Sequence, residues 1–283
     1  MEEGQNAARL NLLKKSEGSL MSSYAELALD LYTSHQRGHT FKPVQSGAGP
    51  LSTSAAYAIQ DELIALMTAE LSHAVVGYKI GLTSQAMQLM CGISSPVYGQ
   101  ILRSGLLPGG AYIDPANFGH LGIEFEIAVR ISKDVNVLPK TLQEMANYVD
   151  AVCPAFELID DRHANYSILD ASSLIADNAW NAGVVLGQWQ ALPANLQTLE
   201  GRIFVDGVQV DSAQVGAALN HPLESVWWLS AELARQGKQL QAGMMVMTGS
   251  IVKTRFPVQG QQWRYAVEGL GEVTANFGSC EVQ

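Results

Sequence analysis

The stretch HLGIEFEIAVR, residues 120–130, decides how the rest of the chain reads. Leu121, Ile123, Phe125, Ile127 and Val129 recur at every second position, the period of a β-strand. Glu124 and Glu126 are two apart, so their side chains leave the same face. Two carboxylates side by side on an apolar strand are costly, because each resists desolvation and they repel one another. A divalent cation removes both penalties, and hard ions such as Mg²⁺ or Mn²⁺ prefer oxygen ligands. The pattern equally fits an edge strand with one face in water, where both Glu are simply solvated.

Four other segments carry residues capable of chemistry. In PAFELIDDR (154–162), Glu157 sits between Phe156 and Leu158, and Asp160, Asp161 and Arg162 follow. A third carboxylate from a neighbouring strand would complete a facial three-Glu site with positions left for water and substrate. An exposed Glu157, or one paired with Arg162, is the alternative. In GYKIGLTS (77–84), Lys79 lies in an apolar strand and either snorkels to the surface or serves as a working cation. The run SSLIADNAWNAGVVLG (172–187) is interrupted by Asp177-Asn178, a turn or a cap. In GMMVMTGSIVKTR (243–255) a strand ends in Thr248-Gly249-Ser250, a small polar turn whose backbone N–H groups suit a carboxylate.

Composition narrows the classes. The 283 residues are 47% hydrophobic and 16% charged, which supplies a sizeable core and argues against disorder. Lys and Arg total 17 against 27 Asp and Glu, a net charge of -10, so no nucleic-acid partner is expected. No run approaches the ~18 apolar residues of a membrane span, and the first twenty residues show no apolar h-region or secretory cleavage pattern. Cys91, Cys153 and Cys280 are far apart and form no CxxC, which leaves neither a zinc ribbon nor a disulfide framework; a reducing, cytoplasmic location is expected.

Residues 1–21 read as a polar flexible tail, with Met21 as an alternative start. Residues 22–74 read as a helical N-terminal region, with helices over 22–33 and 54–70 and a Gly-, Pro- and Ser-rich loop at 35–53. Residues 75–283 read as a β-rich catalytic core. Its expected strands are 75–80, 121–131, 154–160, 182–187, 202–206, 244–248 and 265–275, and its expected helices 84–91, 141–150 and 221–236. The last helix is marked by His221-Pro222 at its start and Gly237 at its end.

Taken together, GYKIGLTSQAM, SPVYGQIL, the Glu-x-Glu strand, PAFELIDDR, IADNAWNAG, HPLESVWWLSAELARQGKQLQAGMMVMTGSIV and EGLGEVTANF come in the order of one family. Over roughly residues 22–278 the chain resembles the hydratase/decarboxylase branch of the fumarylacetoacetate hydrolase superfamily. That branch includes 2-keto-4-pentenoate hydratase, 2-oxohept-3-ene-1,7-dioate hydratase and 4-oxalocrotonate decarboxylase. The resemblance implies an α+β fold, with a mixed β-sheet core of the pseudo-β-roll type (fumarylacetoacetate hydrolase C-terminal-like) and a small helical N-terminal region. It also implies Mg²⁺ or Mn²⁺ on Glu124, Glu126 and Glu157, an active-site Lys79, and substrate binding near Thr248, Gly249 and Ser250.

The expected activity is metal-dependent hydration of an unsaturated 2-oxo acid in aromatic-compound catabolism, with 4-oxalocrotonate-type decarboxylation as the alternative. Homo-oligomers, and association with a family decarboxylase or hydratase, are expected from the same resemblance. Two departures point to opposite subtypes. Many family hydratases carry an acid within the Pro-x-Tyr/Phe-Gly segment, where this chain has Val97, as the decarboxylases do. Conversely, Asn181-Ala182-Gly183 resembles the dicarboxylate hydratases. With Val97 unable to act as a base, His120, Asp160 and Asp177 are the replacements to weigh, and Trp180 either narrows the pocket or packs in the core. C–C hydrolysis of an acylpyruvate would need a His/Glu pair near the N-terminus; His35 and His39 lie there without a well-spaced Glu. A non-catalytic partner subunit is the remaining reading.

Overall fold

In the computed structural model, which describes residues 24–46, 49–69 and 74–278, the Glu-x-Glu segment is the middle strand of a seven-stranded sheet. The expected tail at 1–21, the start of the first helix and Cys280 lie outside the described residues. Helices α1 (Tyr24–Gln36) and α2 (Thr53–Ala69) come first, followed by β1 (Val75–Gly81), α3 (Gln85–Met90), β2 (Val97–Leu102), β3 (Leu106–Pro108) and β4 (Ala111–Ile113). Then come β5 (Leu121–Ile131), α4 (Leu142–Ala146), β6 (Val149–Asp160), α5 (Ala171–Ala176) and β7 (Asn181–Leu186). The chain closes with β8 (Glu200–Val205), β9 (Val208–Gln214), α6 (Pro222–Arg235), β10 (Met245–Met247), β11 (Gln262–Val267) and β12 (Gly271–Phe277).

The larger sheet runs β2-β1-β10-β5-β6-β7-β3 and the smaller β4-β12-β11-β8-β9; both are mixed. This is the α+β architecture expected from the sequence. The spine is the long antiparallel β5–β6 pair, in which Glu124 stands opposite Glu157. Ile123, Phe125, Ile127 and Val129 on β5 are essentially unexposed. Each such buried side chain contributes about 1.5–3 kcal/mol relative to exposure. An edge strand is therefore not the answer for β5: it has partners on both sides, and its glutamates sit on a central strand.

Pro154 lies inside β6, where the sequence suggested a strand start. In an antiparallel ladder a residue's N–H and C=O point the same way. Pro154 O accepts from Gly187 N, so the missing donor faces the region just past the end of β7, where no ladder bond is lost. Five more residues of strand therefore precede Pro154, and the helix expected at 141–150 shrinks to Leu142–Ala146. The expected strand 265–275 is a hairpin, β11 and β12, folded at Glu268-Gly269-Leu270. Helix α6 matches its sequence signals: His221 Nδ1 accepts from Leu223 N at 2.9 Å and Pro222 opens the first turn. Leu223, Val226, Leu229 and Leu233 form its buried stripe. No helix among the described residues is long and apolar enough to cross a membrane.

Candidate metal centre

Strand alternation puts Glu124 and Glu126 on one face of β5, and the β5–β6 register puts Glu157 beside them. One carboxylate oxygen from each lies within 4.8 Å of the other two. Glu126 and Glu157 are fully buried, and Glu124 is partly exposed at the open side of the cluster. Each is fixed by one or two donors. Gly249 N donates to Glu126 Oε2 at 2.8 Å, Thr254 Oγ1 to Glu124 Oε1 at 2.5 Å, and Asn181 Nδ2 to Glu157 Oε1 at 2.9 Å. Glu126 Oε1 and Glu157 Oε2 are left buried without any hydrogen-bond partner. Leaving a buried acceptor unpaired costs about 1–3 kcal/mol, more for a charged group. An oxygen-only donor set with two unpaired buried oxygens fits a hard divalent cation.

Lys79 does not snorkel. It is 3% exposed, and its Nζ lies 3.0 Å from Glu157 Oε1. Strands β10 and β5 separate β1 from β6, so the two residues would be ~14 Å apart across a flat sheet. The contact forms because the sheet curls and both side chains point inside the curl. Burial alone would lower the Lys79 pKa, but the attraction of Glu157, then of Glu124 and Glu126, holds it above its ordinary value. Burial first, then repulsion by Glu157 and Glu124, pushes Glu126 well above the ordinary carboxylate value. Glu157 is also raised, by burial, with Lys79 opposing. The site therefore carries more negative charge than its surroundings stabilise.

The turn after β10 works through Gly249. Its φ is +101°, and a Cβ there would lie 2.4 Å from Thr83 Cγ2, so only glycine brings this N–H to Glu126. Thr248 Oγ1 donates to Ile127 O at 2.9 Å, and Ser250 Oγ accepts from Phe125 N at 3.0 Å. The carboxylate received by this turn is thus the protein's own Glu126.

A family model described as fumarylacetoacetate (FAA) hydrolase C-terminal matches residues 95–277, well over half of the chain. The chain belongs to the fumarylacetoacetate hydrolase family. It is 34% identical over 232 residues to a 2-oxo-hept-4-ene-1,7-dioate hydratase of Escherichia coli, covering 78% of this chain and 85% of the relative. It is 32% identical over 254 residues to a 4-oxalocrotonate decarboxylase of Pseudomonas putida, covering 89% and 95%. A solved 4-oxalocrotonate decarboxylase from Pseudomonas putida G7, complexed with magnesium and adipate, superposes with a TM-score of 0.83 at 30% identity, covering 90% of this chain and 97% of that one.

Two of the weighed acid/base residues are occupied elsewhere in this fumarylacetoacetate hydrolase family member. Asp160 leaves β6 on the opposite face from Glu157 and accepts from the backbone N–H groups of Gly119, His120 and Arg162 at 2.8–3.1 Å. Asp177 is fully buried, held by Arg162 Nη2 at 2.7 Å and His35 Nε2 at 2.7 Å. His35 thus faces an Asp rather than a Glu, and His39 is exposed with its carbonyl accepting from Arg162 Nε. Trp180 packs in the interior, edge-on to Phe41 at 5.2 Å and Tyr166 at 5.7 Å. His120 differs: it shares the glutamates' face, with Nδ1 2.8 Å from Asp161 Oδ1. The positioning residues Asn181 and Thr254 carried no sequence signal for that role, since both contacts depend on long-range pairing.

Proposed function

We propose that this family member is a metal-dependent hydratase that adds water to an unsaturated 2-oxo acid in aromatic-compound catabolism. One observation carries the reading: three converging carboxylates, two of their oxygens buried without partners, beside a buried lysine. The identity to the Escherichia coli hydratase supports it. Glu124, Glu126 and Glu157 would hold Mg²⁺ or Mn²⁺, and the ion would supply Lewis-acid stabilisation of negative charge on the substrate's 2-oxo oxygen. Magnesium is present in the complex of the Pseudomonas decarboxylase.

The remaining parts of the reaction fall to side chains. Lys79, kept as an ammonium by Glu157, neutralises the substrate carboxylate and can pass a proton at Nζ as the enol tautomerises. Thr248, Gly249 and Ser250 border the head group; Ser250 accepts through Oγ from Phe125 and keeps its own O–H to donate. Water then adds to the conjugated alkene and gives a hydroxy-2-oxo acid.

A second reading, decarboxylation, is favoured by Val97. It is 2% exposed, and a methyl group built on Gly81 would lie 3.5 Å from both Val97 Cγ2 and Lys79 Nζ. An aliphatic group beside the lysine leaves no acid there to assist water. Incubation with 2-hydroxypenta-2,4-dienoate and with an oxalocrotonate, following the diene chromophore and CO₂, separates the two; CO₂ release alone would sink the hydratase. Glu124→Gln and Glu157→Gln should each remove metal-dependent turnover from a folded protein, and turnover surviving in either with metal stripped would show the site to be misplaced.

A further inference from the structure

The face that carries the three glutamates continues beyond them. On β5, His120, Gly122, Glu124 and Glu126 alternate onto one side, with His120 just before the strand. The register pairs Gly122 with Ile159 and Glu124 with Glu157, so Ile159 extends the same row along β6, and Asp161 follows just past the strand's end. On the other flank, Thr254 bonds Glu124 and Phe256 stacks on His120. Between the glutamates and His120 the floor is apolar. A methyl group on Gly122 would lie 2.9 Å from both Ile159 Cγ1 and Thr254 Cγ2, so these two groups close over the glycine.

His120 is held on three sides. Its ring lies between those of His163 and Phe256, at centroid distances of 4.4 and 4.3 Å. Its Nδ1 lies 2.8 Å from Asp161 Oδ1. Asp161 is itself fixed by His163 N at 2.9 Å and Tyr166 Oη at 2.9 Å. The His120 side chain is 36% exposed, and Nε2 bonds to nothing among the described residues. One ring nitrogen is thus anchored, and the other is presented at the far end of the row.

We infer that this row is the track for the substrate's chain, and that His120 is the specificity residue that receives a second carboxylate at its far end. The inference rests on the hydratase reading of the glutamate cluster. Four residues of strand separate His120 from Glu124, or ~13 Å between their Cα atoms. With single bonds of ~1.5 Å, an extended six- or seven-carbon diacid spans roughly 6–8 Å, and the Glu and His side chains cover the rest. A five-carbon monoacid ends short and brings no charge to meet. The carbon that takes up water is only two bonds from the 2-oxo carbon, roughly 2.5 Å, so His120 is too far away to be its base. With Nδ1 held at Asp161, Nε2 is the ring atom left to bond the distal carboxylate, through its N–H.

The test is calorimetric binding to the full-length, Mg²⁺-loaded protein of two acids of equal length, 2-oxohexanedioate and 2-oxohexanoate. Wild type should prefer the diacid by about tenfold or more, as a charge-assisted hydrogen bond implies. His120→Ala should bring that preference to within about twofold, and His120→Gln, which keeps a donor, should fall between. Binding of the monoacid shows that each variant is folded and its head-group site intact. A preference unchanged in His120→Ala, or an equal loss for both acids, would overturn the assignment of His120. Absence of Mg²⁺-dependent binding of either acid to wild type would instead overturn the hydratase reading, and the track with it.

Discussion

Glu126→Gln should strengthen the metal-free protein at neutral pH. Glu126 is fully buried, one of its oxygens is unpaired, and two further carboxylates present oxygens within 4.8 Å. At an effective dielectric constant of ~20, each like-charge pair at that distance costs ~3.5 kcal/mol. Proton uptake limits the penalty. For an acid with an ordinary value of 4.5, binding a proton at pH 7 costs ~3.4 kcal/mol at 1.36 kcal/mol per unit. Burial and the two repulsions outweigh the opposing Lys79 ammonium and Gly249 N–H, so the folded state favours proton uptake, and ~3 kcal/mol is the most that Gln can relieve. The amide's unpaired N–H group returns about 1 kcal/mol of this. A net gain of about 1–2 kcal/mol is expected. The sign with pH follows from linkage. The folded pKa of Glu126 lies above the unfolded one, so the native state binds more protons and wild-type stability falls as pH rises from about 4.5 towards the folded value. Urea unfolding in EDTA at pH 5 and pH 8 measures both effects, and the gap between variant and wild type should widen at pH 8. Added Mg²⁺ at a hundred times its Kd should then stabilise wild type by ~2.7 kcal/mol and leave the variant almost unmoved. A variant less stable than wild type in EDTA at pH 8, or a gap indifferent to pH, would refute the picture of an over-charged cation site.

Three further outcomes are expected. Lys79→Met removes a cation beside the glutamates, so Mg²⁺ should bind more tightly in a titration while turnover falls about 100-fold or more; weaker Mg²⁺ binding would contradict the 3.0 Å Lys79–Glu157 contact. Asn181→Ala frees Glu157 Oε1 from one of its two partners and should weaken metal affinity by about 10–100-fold with little change in melting temperature. Arg162→Met leaves Asp177 buried without its strongest partner and should cost about 3–5 kcal/mol in urea unfolding.

The parts of the site that depend on local spacing were legible in the sequence. Glu124 and Glu126 share a face because strand period is two, while Lys79 and Glu157 stand out as charges inside apolar runs that also fit a snorkelling lysine and an exposed glutamate, and only the family resemblance implies their roles. That Glu157 stands opposite Glu124, and that Lys79 crosses two strands to reach it, are facts of register and sheet curl, which no local pattern encodes. Strand β9, VQVDSAQ, is a mostly exposed edge strand with little apolar alternation to mark it in the sequence. Strand β2 is masked in the sequence by Pro96 and Gly99, which read as turn residues. Gly99 is required there by contact: a Cβ would lie 2.4 Å from Asn178 O. Asp177 looked available for proton transfer only because sequence does not show Arg162 and His35 closing on it.

The segment between α5 and β7 shows what the helical region contributes to the site. Asn178, Ala179 and Trp180 are three consecutive non-glycine residues at positive φ, 53°, 48° and 59°. Such backbone costs roughly 1–2 kcal/mol per residue and persists only where neighbours over-determine it. Here they do. Asn178 zips to β2, accepting from Gln100 N at 2.6 Å and donating to Gln100 O at 2.9 Å. Asp177 is held by Arg162 and by His35 of α1, Trp180 packs on Phe41, and Gln60 of α2 donates to Ile175 O at 2.8 Å just upstream. The turn delivers Asn181 into β7 with its amide on Glu157. Residues from α1, α2 and the loop between them therefore clamp the strained turn that orients one of the three carboxylates. Leu27, Ala28, Ile59 and Leu63 also belong to the same hydrophobic core as β5 and β6. The helices are thus part of the scaffold of the glutamate cluster.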